Sequence, residues 1–410
     1  MRLISHPATK VVHRPAKRRT SRRVASVTSA VSVLGLLCLP ASGPASAASG
    51  PAATSSPCRY GVLTPTPSPG RYISLFGISA LASNDVWAVG YSDRGVGTVV
   101  YRPLIEHWNG TAWSVVASPR PMTDVVLYAV AAISPADVWA VGRMSRTQVS
   151  AGYSVIEHWN GSAWSVVASP RVQGFASALA VASPGDVWAV GLRPASDPGL
   201  SADTLAEHWD GTRWRVVPTP NPGRYGDSLS GVTVAGPDDV WATGATGTNR
   251  FDTAPLSEHW DGHAWSVVKI PAESFTSALR SLTSAGPSDV WAAGWYDVQT
   301  PTGTVTFTLA EHWNGHFWAL NFPPSPTGDD TLNGITAVSA NDMWAVGSTA
   351  LNRTFVLHWN GLGWKELSPG LAQKGNTNVL WSVSAPTPAG IWASGGGYHT
   401  LVEHICPVSG

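Results

Sequence analysis

Residues 105–118, IEHWNGTAWSVVAS, decide the fold when read with DVWAVG at residues 85–90. The first phrase returns as His-Trp at His107, His158, His208, His259, His312 and His358, with a truncated copy, Glu403-His404-Ile405. The second returns as DVWA-x-G at Asp85, Asp137, Asp186, Asp239 and Asp289, as DMWAVG at Asp342 and as GIWASG at Gly390. That makes seven copies at a period of 46 to 53 residues. Within one copy, residues 127–133 read as strand a, and Ser134-Pro135-Ala136-Asp137 makes a turn. Residues 138–142 form strand b, 154–159 strand c and 164–168 strand d. Asn160-Gly161 joins c to d, since a two-residue type I′ hairpin needs φ > 0 at both positions. Ser169-Pro170 ends the unit.

A period near 50 with four short strands per copy predicts an all-β fold, a seven-bladed β-propeller of four-stranded antiparallel blades. The seventh copy stops after its strand c. An unassigned strand d stands at the other end of the domain, residues 60–64, and runs into residues 62–72, which match the end of the third repeat at 216–225 (VLTPTPSPGRY against VVPTPNPGRY). Joining the two predicts a ring closed by the N-terminal strand, which leaves no sheet edge open to aggregation. The same alignment puts Cys58 at the hairpin Gly and Cys406 at the hairpin Asn of blade seven, where a disulfide replaces the covalent turn of the other six.

Residues 1–47 read as a signal peptide. Seven basic residues between Lys10 and Arg23 precede an apolar run at 24–39 and an A-x-A site at Ala45-Ser46-Ala47. Ser21-Arg22-Arg23 is compatible with twin-arginine export, but Ala25 stands where that signal takes a bulky apolar residue, so the general secretion route is preferred. The apolar run is short for a membrane span, and Leu37 before Cys38 is too large for a lipoprotein box. Residues 48–57 are a small-residue linker, and 58–410 form the propeller domain. Residues 1–47 hold eight Lys+Arg and no Asp or Glu. Residues 48–410 therefore carry 18 Lys+Arg against 26 Asp+Glu, a net charge of −8. That balance argues against nucleic acid or an anionic membrane as partner. The expected product is a secreted, extracellular monomer with no membrane span in its mature part.

Of 21 tryptophans, 19 fall on repeat positions in strands b, c and d and are read as core between blades; only Trp295 and Trp381 do not. The six Glu-His dipeptides recur at one strand position, which suits blade-to-blade hydrogen bonding and not an asymmetric catalytic site. The Asp of each DVW is read as a turn residue, and Asn109-Gly110-Thr111 and Asn160-Gly161-Ser162 as turns despite fitting a glycosylation sequon. Phosphate-loop, zinc-helix, nucleophile-elbow and calcium-loop motifs are absent. No catalytic residue, metal ligand or cofactor is assigned. Asp329-Asp330 reads as a solvated turn, with a cation or hydroxyl ligand as the alternative.

Function should lie where the copies differ. The d–a and b–c connections vary, and topology puts both on one face. Nine residues before each turn Asp, strand a carries Phe76, Tyr128, Ser177, Ser230, Arg280, Asn333 or Trp381 among nearly invariant Leu and small neighbours. These seven are expected to ring the mouth of a central channel. Flat aromatics (Phe76, Tyr128, Trp381, and Trp295-Tyr296 in a b–c loop) and planar hydrogen-bonders (Arg280, Asn333, with Arg71 and Arg224 in d–a loops) suit a sugar.

The WAVG and HWNG-x-x-W phrases, over residues 58–406, resemble those of secreted actinobacterial repeat proteins related in architecture to kelch and galactose-oxidase central domains. The double Gly of kelch is missing after strand b, and Trp108 replaces the Asp of a sialidase Asp-box. The resemblance implies a propeller and no particular activity. The functional expectation is a non-enzymatic module for an extracellular glycan or cell-wall polymer, with the negative charge favouring neutral sugars. A protein-docking scaffold is the alternative. A polysaccharide lyase or hydrolase would have to draw on Arg280, Asp329 and Asp330.

Overall fold

The structure is a computed structural model that describes residues 62–405, apart from 65, 68, 71, 94–99, 120–123, 147–151, 198, 200, 273–275, 368–377, 388–389 and 397–398. The signal peptide, the linker, Cys58, Cys406 and Arg71 lie outside the described residues. Among the described residues every named element is a β-strand. Six four-stranded antiparallel groups follow one another in the order a-b-c-d; five are separate sheets, and the first is bridged to the seventh group through Ser74 opposite Gly396. In the second, the strands are Asp124–Ser134, Asp137–Ser145, Tyr153–Trp159 and Trp164–Val166. The seventh group has strands Leu380–Ser384, Ile391–Gly396 and Thr400–Ile405. A two-residue strand, Val62–Leu63, pairs antiparallel with its last strand, Val62 opposite His404 and Leu63 opposite Glu403.

Hydrophobic clusters fill the space between successive sheets. Six of the seven strand-b tryptophans reach the next sheet's pair of tryptophans; Trp344, which faces the seventh group, packs instead with Leu380, Ile391 and Ile405. Trp87 packs 5.2 Å from Trp159 and edge-on, 5.5 Å, to Trp164. Trp139 repeats this on Trp209 and Trp214, and Trp188 on Trp260 and Trp265. Trp392 of the seventh group makes the same contacts with Trp108 and Trp113 of the first sheet, at 5.6 and 5.9 Å. The cluster at that junction also holds Ile73, Leu75, Leu104 and Val402. Edge-to-face aromatic pairs add about 0.5–1.5 kcal/mol each beyond the area they bury, so a repeated Trp triad ties neighbouring sheets together at six junctions.

Strands a and b run longer than the repeat pattern implies. The fifth sheet departs furthest: its strands b and c, Asp289–Thr300 and Gly303–Trp313, form an extended hairpin. Trp295 and Tyr296, expected in a loop, are therefore strand residues, opposite Thr308 and Phe307. β-Formers alternate through Val298, Val305 and Phe307, and Tyr296 stacks on Phe307 at 5.6 Å. No helix among the described residues is long and apolar enough to cross a membrane.

Candidate functional site

Strand a carries the variable positions, and its register explains where they point. In the first sheet Leu75 lies opposite Gly90 and Gly77 opposite Val89, so Phe76 has no partner. It is the extra residue of a β-bulge. Tyr128, Ser177, Ser230, Arg280, Asn333 and Trp381 occupy the same bulged place in the other sheets. A bulge re-aims one side chain and bends its strand. The Gly of each DVWA-x-G is what permits it. A Cβ at Gly90, Gly142, Gly191, Gly244, Gly294, Gly347 or Gly395 would lie 1.8 to 2.0 Å from a strand-a carbonyl oxygen. The residue after each bulge is small for a related reason: the inner strands converge there. A Cβ at Gly77 would lie 2.9 Å from the Cα of Ala129, and one at Gly334 3.0 Å from the Cα of Ser382.

All seven bulged residues line one cavity of about 480 Å³. Contacts run from sheet to sheet around it. Trp381 lies 5.8 Å from Phe76, and Phe76 5.6 Å from Tyr128. The Ser177 hydroxyl donates to the Leu229 carbonyl at 3.2 Å. Arg280 donates from a guanidinium nitrogen to Oδ1 of Asn333 at 2.8 Å, and the Asn333 amide donates to the Leu380 carbonyl at 2.8 Å. The order around the mouth is thus three aromatics, two serines, then Arg280 and Asn333. Arg280 and Tyr128 are the ionisable side chains of the described lining. Burial pushes the Arg280 pKa down and the Tyr128 pKa up, with nearby Arg143 opposing the rise at Tyr128.

Three further aromatics join this group that sequence reasoning missed. Tyr91 lies 5.8 Å from Phe76, Tyr101 4.7 Å from Tyr91, and Phe175 5.5 Å from Tyr128. Tyr91 directly follows the invariant Gly of strand b, a position the repeat leaves variable, and that was the available signal.

The remaining expected site residues lie elsewhere. Trp295 and Tyr296 do not line the cavity; Tyr296 packs on Phe307 and Phe322. Arg224 borders a separate groove with Thr246 and Lys269. Of Asp329-Asp330, Asp329 is exposed in a bend, as a solvated turn residue would be, and Asp330 is not. Asp330 is fully buried and accepts from Ser325 Oγ at 3.1 Å, the Thr327 amide at 3.0 Å and the Thr327 hydroxyl. Asp329 accepts from the Thr306 amide at 3.0 Å. Together they fasten the connection after the fifth sheet to its long hairpin. Among the described residues no group of three or more His, Cys, Asp or Glu is placed to hold a metal ion.

The Glu-His dipeptides divide into two structural roles. The His of the first five dipeptides, and His358 of Leu357-His358, bonds within its own sheet to the Asp of DVW or DMW, which is therefore more than a turn residue: His107–Asp85, His158–Asp137, His208–Asp186, His259–Asp239 and His312–Asp289 at 2.8 Å, and His358–Asp342 at 2.9 Å. The imidazole also packs against the strand-b Trp, as His312 stacks on Trp291 at 4.2 Å. The Glu faces the neighbouring sheet. Ser118 of the first sheet's end donates to Glu157 of the second at 2.9 Å. Burial raises Glu106 and Glu258 to about 8, and Glu157, Glu207 and Glu403 to about 7. Their recurrence in sheet after sheet marks them as packing groups. In the turns, Oδ1 of Asn109 and of Asn160 accepts from the hydroxyl two residues on, both at 2.8 Å.

The chain matches no protein-family model and no curated protein sequence. Solved structures do resemble it. YCF48 bound to D1 peptide superposes with a TM-score of 0.53 at 12% identity, over 87% of this chain and 98% of that one. YCF48 from Cyanidioschyzon merolae gives 0.51 at 14% identity, over 85% and 99%. The RRP9 WD40 repeats give 0.55 at 7% identity, over 85% and 98%. The chain has a β-propeller fold. At these identities the likeness speaks for the fold alone.

Proposed function

We propose that the protein is a secreted, non-enzymatic binding module that takes an extracellular glycan or cell-wall polymer into the cavity ringed by Phe76, Tyr128, Ser177, Ser230, Arg280, Asn333 and Trp381. The observation behind this reading is that seven β-bulges direct the seven variable side chains into one cavity, while the invariant residues around them build the sheets. Rigid scaffolds that present variable residues at one mouth suit recognition. The described lining offers no carboxylate or imidazole for acid–base chemistry.

We also propose that the scaffold is a seven-bladed ring completed by the N-terminal segment and pinned by a Cys58–Cys406 disulfide. Two features support this. Val62–Leu63 pairs with the strand that ends at Ile405. The Thr66 hydroxyl bonds that of Thr400, as Thr219 bonds Thr204 in the third sheet.

A second reading is docking of a protein or peptide. One neighbour is described with a bound peptide, and on this chain Phe251, Phe322 and Leu351 stand exposed near the b–c and d–a connections. The deciding experiment is a glycan array probed with residues 48–410, run beside a blot overlay on culture-supernatant proteins. Saturable glycan binding supports the first reading. Protein capture with no glycan binding would replace it with the second.

A further inference from the structure

Resting on the glycan reading above, we infer that the ligand is an acidic saccharide whose carboxylate pairs with Arg280 while its ring lies against Trp381, Phe76 and Tyr128. Arg280 sits on a bulge among half-buried neighbours, and among the described residues no carboxylate pairs with it. Its bond to Asn333 engages one nitrogen. A guanidinium has five N–H donors in a planar fork matched to a carboxylate. Asn333, itself fixed by its bond to the Leu380 carbonyl and almost fully buried, holds that fork in place. Burial disfavours the charged form of Arg280. A partly desolvated cation without a chain counterion gains more from an anionic ligand group than a surface Arg would.

The net charge of −8 on residues 48–410 points the other way, toward neutral sugars. Charges spread over a domain are screened beyond about 8–10 Å at ordinary salt. A single guanidinium inside the cavity acts at contact distance and decides the local preference. The aromatic half of the mouth favours a saccharide over a peptide carboxylate, because Trp381, Phe76 and Tyr128 together offer apolar ring surface to a sugar face.

The test uses acidic oligosaccharides, each paired with its carboxyl-reduced counterpart, against residues 48–410 in calorimetry at fixed salt. The parent should bind at least one acidic member about tenfold to a hundredfold more tightly than its reduced partner. Arg280→Gln should erase that preference, and Arg280→Lys should retain part of it. Equal binding of acidic and reduced members, or a preference that survives Arg280→Gln, overturns the inference and leaves the glycan reading standing. Binding of peptides ending in a free carboxylate, with no saccharide bound, overturns both. So does the absence of binding to every acidic and reduced member.

Discussion

The Cβ that Gly90 lacks would stand 1.8 Å from the carbonyl oxygen of Ser74. A side chain there would force strand a to shift at the bulge. The same relation joins Gly142 to Val126, at 2.0 Å. The glycine and the bulge are thus one structural device, and the device aims the variable residue.

Gly142→Ala should therefore destabilise by about 2–3 kcal/mol, the upper range for overpacking a tight site. Chemical denaturation of residues 48–410 measures it. A loss below about 0.5 kcal/mol would show that the strand relaxes freely and that the bulge is not dictated by the glycine.

The Asp–His pair is a second device that can be measured. Asp137→Ala and His158→Ala, alone and together, should give a coupling of about 0.5–1.5 kcal/mol, the net worth of one hydrogen bond. Strictly additive losses would mean that the 2.8 Å contact contributes nothing beyond the packing of each side chain.

The buried glutamates make stability depend on pH. Five of them hold a proton in the folded state up to about 7 or 8, whereas in the unfolded chain they release it near 4.5. The folded state then binds more protons than the unfolded one between those values, so this contribution is full below about 4.5 and is lost as pH rises toward 8. His404, lowered by burial, acts oppositely, but only below its ordinary value of 6.5. The melting temperature should fall from pH 6.5 to 8.5, and Glu106→Gln should flatten that slope. A flat or rising profile in the parent contradicts the burial of these carboxyls in their neutral form.

Much of this was legible in the sequence because a repeat multiplies every signal. One DVWAVG is weak; seven copies fix strand b, and six Asn-Gly or Asp-Gly turns fix the c–d hairpins. The seven variable positions also stood out against their uniform neighbours, and the structure gathers them in one cavity. What did not show was anything requiring a side chain's direction in three dimensions. The Asp85–His107 bond spans 22 residues and follows from strand register. Burial of Asp330 depends on the fold of its own loop. Trp295 and Tyr296 looked like loop residues because the repeat ends at Gly294, whereas β-formers prolong that hairpin past the repeat.

The terminal strand and the two cysteines form a separate prediction. Intact mass of residues 48–410, made under oxidising conditions, should rise by about two hydrogen atoms on reduction, and Cys58→Ser should cost about 2–4 kcal/mol. Removing residues 58–65 should open the edge at Thr400–Ile405 and cause aggregation. Two free thiols in the unreduced protein, or a soluble truncation that melts cooperatively, would contradict the proposed closure.

The account's central claim is that the ring of bulged residues is the binding site. Its most direct measurement compares the parent with a Tyr128→Ala, Trp381→Ala double variant on one glycan array, with thermal melts of both. The account predicts that the double variant loses every glycan the parent binds while still melting cooperatively within a few degrees. A double variant that binds the same glycans at parental affinity would place the site elsewhere.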